Sequence, residues 1–297
     1  MPDRDRHSTA AGSASALRLE LCARARHYAG KNRLPYVDSY GAQPVVVFPP
    51  YRKLSSAAGP EAEPCADGPL HGNFLPASYK AILAREDWRR RLGKVHTQAR
   101  SSVPSGDRGR WRELDSCTSS DALLMNVFCC PGVLRERSVC GLLGAAAGVC
   151  PEFGVAARVP LASGRFDRTE IDMRLGGLLV EAKLTESDFQ SAATATVESY
   201  RDFAACFIPR DLERRRGCYC SYQLIRNVLA AHATGASFCV LADARRPDLI
   251  EAWYRTLRCV RPVDLRVRCQ VLTWQELASA LPLRLRRFLD EKYGIAA

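Results

Sequence analysis

Residues 169–183, Thr-Glu-Ile-Asp-Met-Arg-Leu-Gly-Gly-Leu-Leu-Val-Glu-Ala-Lys, constrain the chain more than any other stretch. They predict two short strands joined at Gly176-Gly177, a tight-turn signal between apolar runs. Alternate strand residues share a face, so Glu170 and Asp172 fall on one side of the first strand. Glu181 and Lys183 fall on one side of the second, with Val180 and Ala182 opposite. Hairpin register then gathers Asp172, Glu181 and Lys183. Two acids and a lysine on one side of apolar strands build a poor core and a good site for a hard cation. Mg²⁺ takes one or two carboxylates and completes its shell with water and phosphate oxygens. Asp172 and Glu181 are the expected carboxylate ligands and the Ala182 carbonyl a third oxygen. Lys183 is placed to orient an attacking water or offset transition-state charge.

The flanking pattern predicts the setting. In 116–128, Ser119 or Ser120 can cap a helix whose apolar face is Leu123, Leu124, Val127 and Phe128. A small-residue helix follows at 139–149, a strand at 155–161, and then the hairpin. Beyond it come helical spacing at 187–207 and 222–232, a strand at 236–242, a helix at 248–259, a strand at 265–272 and one or two closing helices at 274–293. From residue 117 the expected order is α, α, β, β, β, α, α, β, α, β, α. The fold class is therefore α/β, or α+β, with a central mixed sheet flanked by helices.

Upstream, 77–91 has helical spacing and ends in Arg89-Arg90-Arg91, followed by Lys94, His96 and Arg100. This cluster reads as a solvated helix end favoured by the dipole, or as a phosphate clamp. Residues 55–70, rich in Ala, Gly, Pro and Glu, are the candidate boundary, and 103–110 is a Ser/Pro/Gly loop. Residues 17–28 have helical spacing, 44–50 is a β-prone run stopped by prolines, and the Ser/Ala/Arg-rich 1–15 is expected to be disordered. The division expected is a basic lead over 1–70 and a catalytic domain over 71–297, with its core at about 117–280.

The net charge of +11 is concentrated early, residues 1–110 carrying a surplus of eight cations. That favours polyanionic partners. No apolar run is long enough to span a bilayer and no secretory leader is evident, so the expectation is a cytoplasmic protein without a membrane partner. The 13 cysteines include no CxxC pair. They read mostly as small buried hydrophobes, with a zinc or iron–sulfur site on Cys206, Cys218 and Cys220 as the minor alternative. His27 and His96 lie in basic segments and lack partner acids, His232 after an apolar helix reads as a C-terminal cap and not a catalytic base, and neither a G-x-S-x-G elbow nor a Walker loop is present.

Asp172, eight residues, then Glu181-Ala182-Lys183 on an apolar strand resembles the signature of the PD-(D/E)XK nucleases, the restriction-endonuclease-like superfamily. Thr169-Glu170-Ile171-Asp172 with Val180-Glu181-Ala182-Lys183 looks like its E-x-D…E-x-K variant. The element order is also similar to that of the superfamily. Ser119-Ser120, Asn126, Phe128, the run 184–189 and Tyr222-Gln223-Leu224-Ile225-Arg226-Asn227 resemble an uncharacterised bacterial branch of it.

The resemblance covers roughly 70–297. It implies a Mg²⁺-dependent nuclease, with Mn²⁺ as a substitute, that hydrolyses DNA phosphodiesters as an endonuclease. RNA is the alternative substrate, and a homodimer is one option. Asp172, Glu181 and Lys183 are the implied catalytic set, Glu170 a helper, and Gln223, or Gln190 as second choice, the glutamine beside the metal. The chain departs from the pattern in having no proline before Asp172, and the first helix offers only Asp121 as an acid. The alternative function is a catalytically inactive nucleic-acid-binding module on the same fold.

Overall fold

The computed structural model describes residues 4–39, 45–52, 69–94 and 112–296. The loop at 103–110, His96, Arg100 and nearly all of the candidate boundary at 55–70 lie outside the described residues. Contacts divide the chain into two units. One is built on Leu134–Leu281 with the chain up to Leu17, the other on Arg18–Val133 and Pro282–Ala296. Among the described residues no helix is long and apolar enough to cross a membrane.

The helix α1 runs Arg4–Asn32, so the disorder expected over 1–15 is corrected from Arg4 onward. Ala10, Ala11, Ala14 and Ala16 explain the difference, because alanine is the best helix former. Two antiparallel ribbons follow, β1 (Val37–Ser39) with β2 (Val45–Val47) and β3 (Pro50–Tyr51) with β4 (Leu70–His71). The single helix expected over 77–91 is two, α2 (Pro76–Ala84) and α3 (Glu86–Arg91), separated where Arg85 turns extended. Next comes α4 (Ser120–Phe128), capped by the Ser119 hydroxyl, which accepts from the Ala122 N–H at 3.1 Å. Cys22, Ala25 and Ala29 of α1 pack with Val46, Phe48 and Cys117.

The other unit starts with α5 (Arg137–Leu143), which stops at Gly144 in the left-handed conformation. Then come β5 (Pro151–Ala156), the small hairpin β6 (Val159–Pro160) and β7 (Phe166–Asp167), and the long hairpin β8 (Glu170–Leu175) and β9 (Leu178–Ala182). The helix expected over 187–207 is absent as one element. It is replaced by β10 (Ala192–Ala193) and two short helices, α6 (Thr194–Glu198) and α7 (Phe203–Cys206). Its helical spacing was real only locally, because Val197, Tyr200, Phe203 and Phe207 bury from short turns. The short strands β11 (Arg214–Arg215) and β12 (Cys218–Tyr219) pair beside β10. The remainder is α8 (Tyr222–Thr234), β13 (Ser237–Ala242), α9 (Pro247–Leu257), α10 (Val263–Val267), β14 (Cys269–Thr273) and α11 (Trp274–Ser279), after which α12 (Leu283–Tyr293) belongs to the unit of Arg18–Val133.

The central sheet has five strands in the order β14-β13-β9-β8-β5. Strands β14, β13 and β9 run parallel, and β9, β8 and β5 antiparallel, so the sheet is mixed as expected. Phe238 to Ala242 are all buried, as a continuous apolar run in a parallel interior strand must be. Helices α8 and α9 cover one face, where Leu224, Ile225, Val228 and Trp253 meet Phe238, Val240 and Leu179. This is the face that carries Glu181.

Candidate metal and catalytic site on the β8–β9 hairpin

The turn is what the Gly-Gly pair demands. Gly176 takes φ +59°, which suits the first position of a two-residue hairpin turn. The ladder pairs Leu175 with Leu178, Arg174 with Leu179 and Met173 with Val180. Ile171, Met173 and Leu175 are buried, while Glu170, Asp172 and Arg174 turn outward, the period-2 pattern of a half-buried strand. Every residue of β9 is buried, including Glu181 at 2 % exposure.

Beyond Met173 the side chain of Asp172 takes over from backbone pairing. Its Oδ2 accepts the Ala182 N–H at 2.8 Å. The N–H and C=O of one residue in such a ladder leave the strand on the same side, so the Ala182 carbonyl also points toward β8. Glu181 is gripped from both ends: Lys183 Nζ donates to Oε1 and Asn227 Nδ2 to Oε2, each at 2.8 Å. Burial pulls the Lys183 ammonium toward losing its proton. The carboxylates of Glu181, Glu186 and Asp172 outweigh that and hold it above the ordinary lysine range. The ammonium also sits over the Phe189 ring, 5.5 Å from its centroid.

The strand end is fixed from the other side of the chain as well. The Lys183 N–H bonds the Leu241 carbonyl at 2.8 Å, and its own carbonyl accepts from the Trp274 indole at 3.0 Å. Arg246, fully buried, holds the following loop through the carbonyls of Glu186 at 2.6 Å and Ser187 at 3.2 Å.

Asn227 and Arg226 are neighbours of Glu181 that the sequence did not single out. The Arg226 guanidinium donates to Asn227 Oδ1 at 3.1 Å, which commits the amide to presenting Nδ2 to Glu181. The same guanidinium reaches the Glu170 carbonyl at 3.1 Å. One side-chain pair on α8 therefore ties both strands of the hairpin. The available signal was the spacing of Gln223 and Asn227, four apart and hence on one helix face.

Gln223 stands one turn before Asn227, its backbone N–H on the Phe189 carbonyl at 3.0 Å and its Oε1 buried without a hydrogen-bond partner among the described residues. Gln190, the second choice, adopts φ +58°, and its backbone carbonyl accepts from the Tyr222 N–H. Glu170 is exposed at the start of β8, on the Asp172 side of the strand.

These residues fit a hard divalent cation. The donors are carboxylate, carbonyl and amide oxygens, and Gln223 Oε1 is an acceptor left unmet by donors among the described residues. Among the described residues no group of three or more His, Cys, Asp or Glu is arranged to hold a metal, so Cys206, Cys218 and Cys220 do not form one. The described cysteines are all free thiols.

Asp121 belongs to a different cluster. It is buried and held by Lys94 at 2.7 Å and Arg91 at 3.0 Å. Arg91 and Lys94 are thus engaged by an internal carboxylate, while Arg89 and Arg90 stay exposed.

No curated protein and no solved structure matches the chain. A family does: residues 48–294 match the family described as restriction endonuclease associating with ARP, REase-ARP. That span takes in the whole hairpin, the sheet around it and the α8 residues that hold Glu181. The chain belongs to this restriction-endonuclease family.

Proposed function

We propose that the protein is a Mg²⁺-dependent nuclease that hydrolyses DNA phosphodiester bonds, as an endonuclease, at the β8–β9 hairpin. The observation that carries the reading is the Asp172 carboxylate on the Ala182 N–H at 2.8 Å, with the Lys183 ammonium 2.8 Å from the Glu181 carboxylate on the same strand end. Asp172, Glu181 and the Ala182 carbonyl would hold the ion. Bound there, Mg²⁺ supplies Lewis acidity at a phosphoryl oxygen and lowers the pKa of a coordinated water. Lys183, a fixed buried cation, orients that water by donating to it and offsets the charge that grows on the phosphoryl group. The carboxylates of Glu181, Glu186 and Asp172 favour its protonated form, the form that can donate. Asn227, locked by Arg226, keeps Glu181 from rotating. Gln223 offers its open acceptor to a water or to the ion. The net charge of +11 and the family's description support DNA as the polyanion.

Cleavage of plasmid DNA should require Mg²⁺, stop with EDTA and return when Mg²⁺ is restored. One observation favours the second reading, a non-catalytic DNA-binding module: both Glu181 oxygens already accept from protein donors. Salt-dependent DNA binding without any divalent-dependent cleavage would select it.

A further inference from the structure

The small hairpin β6–β7 leads directly into the catalytic strand and carries features that the site does not use. Its register pairs Val159 with Asp167 and Pro160 with Phe166. Val159 is buried and Asp167 half-buried, so this side faces the protein. Phe166 therefore lies on the outward side with Pro160, and is 47 % exposed. Arg158 and Arg168, immediately outside the two strands, are exposed, as is Arg165 beside Phe166.

The Arg158 guanidinium lies over the Phe166 ring, 5.4 Å from its centroid. Arg158 itself takes φ +51°, a left-handed conformation uncommon for a residue with a Cβ. Over residues 157–169 there are three arginines and one acid, Asp167. That acid is occupied: it accepts from the Thr169 N–H at 2.8 Å and from the Thr169 and Tyr200 hydroxyls, both at 2.5 Å.

The hairpin is also rigid. Its Pro160 carbonyl accepts from the Arg201 N–H at 3.0 Å, and its Ala162 N–H donates to the Ser199 carbonyl at 2.8 Å. Asp167 further meets the Tyr222 hydroxyl at 3.4 Å, at the head of the helix that carries Gln223 and Asn227. An exposed aromatic ring, a guanidinium laid against it and two flanking arginines form the combination that binds single strands. Bases stack on the ring and phosphates meet the cations.

We propose that Phe166, backed by Arg158, stacks an unpaired base of single-stranded DNA while Arg165 and Arg168 contact the neighbouring phosphates. The proposal rests on the nuclease reading for its choice of DNA. It identifies a strand with at least one unstacked base as the form that enters the site.

The test is equilibrium binding of a labelled oligodeoxynucleotide in EDTA, where no cleavage occurs, with melting temperature as the check on folding. Phe166→Ala should weaken binding by roughly 10-fold or more, within the range for loss of one stacked base. Phe166→Trp should restore it. On an abasic oligomer of equal length, wild type and Phe166→Ala should bind equally, because no base is left to stack. Arg168→Ala should weaken binding on both oligomers and reduce the salt slope by about 0.7.

Unchanged affinity of Phe166→Ala for the base-bearing oligomer would overturn the proposal, and so would a deficit that persists on the abasic one. Cleavage is not read, so the outcome is separate from the fate of the nuclease reading.

Discussion

Glu181 takes its position from three side chains. Lys183 and Asn227 hold one oxygen each, and Arg226 fixes the Asn227 amide. Partners of this kind set ligand orientation, and their loss commonly costs 10–100-fold in metal affinity or activity, by order of magnitude. Asn227→Ala should therefore raise the Mg²⁺ concentration for half-maximal cleavage by roughly 10-fold while leaving secondary structure intact. An unchanged Mg²⁺ titration would remove Asn227 from the site.

A second residue-scale effect lies at His71, whose ring nitrogen meets Asp115 at 3.0 Å. Burial lowers the His71 pKa and outweighs the Asp115 carboxylate, which pulls the other way. Below about pH 6.5 the unfolded chain takes up a proton that folded His71 resists, so stability is full above that pH and declines as pH falls toward the folded value. Urea midpoints between neutral and mildly acidic pH should show this decline, and His71→Gln should flatten it.

Elements differ in how openly the sequence announced them. The hairpin was legible because its signals agree: a Gly-Gly turn, period-2 burial and acids confined to one face. Gly176→Ala should destabilise by about 1–2 kcal/mol, since the left-handed backbone is strained for any residue with a Cβ. Chemical denaturation of the variant measures it. The cap of α4 was equally legible, and Ser119→Ala should cost about 1 kcal/mol in the same assay.

The segment 187–207 was misread because apolar spacing cannot distinguish one helix from two short ones separated by turns. Residues 1–15 were misread because Ser and Arg drew more weight than the alanines that drive α1. Asn227 and Arg226 were passed over for a different reason. Both are polar residues in an apolar helix, and only the fold shows that they face the Glu181 side of the sheet.

At the scale of the whole molecule, the hairpin was foreseen as a gathering of Asp172, Glu181 and Lys183, and these residues do lie together. Composition said less. The charge surplus favours polyanions but does not locate where one would lie, and Arg91 and Lys94 of the basic cluster turn out to hold Asp121. The family assignment over 48–294 includes the hairpin. The most direct test is the rate of Mg²⁺-dependent cleavage of a plasmid by wild type, Asp172→Ala and Lys183→Ala, each checked by far-UV circular dichroism. The account predicts cleavage by wild type and its loss in both variants with unchanged spectra. Variants that cleave at the wild-type rate would contradict it.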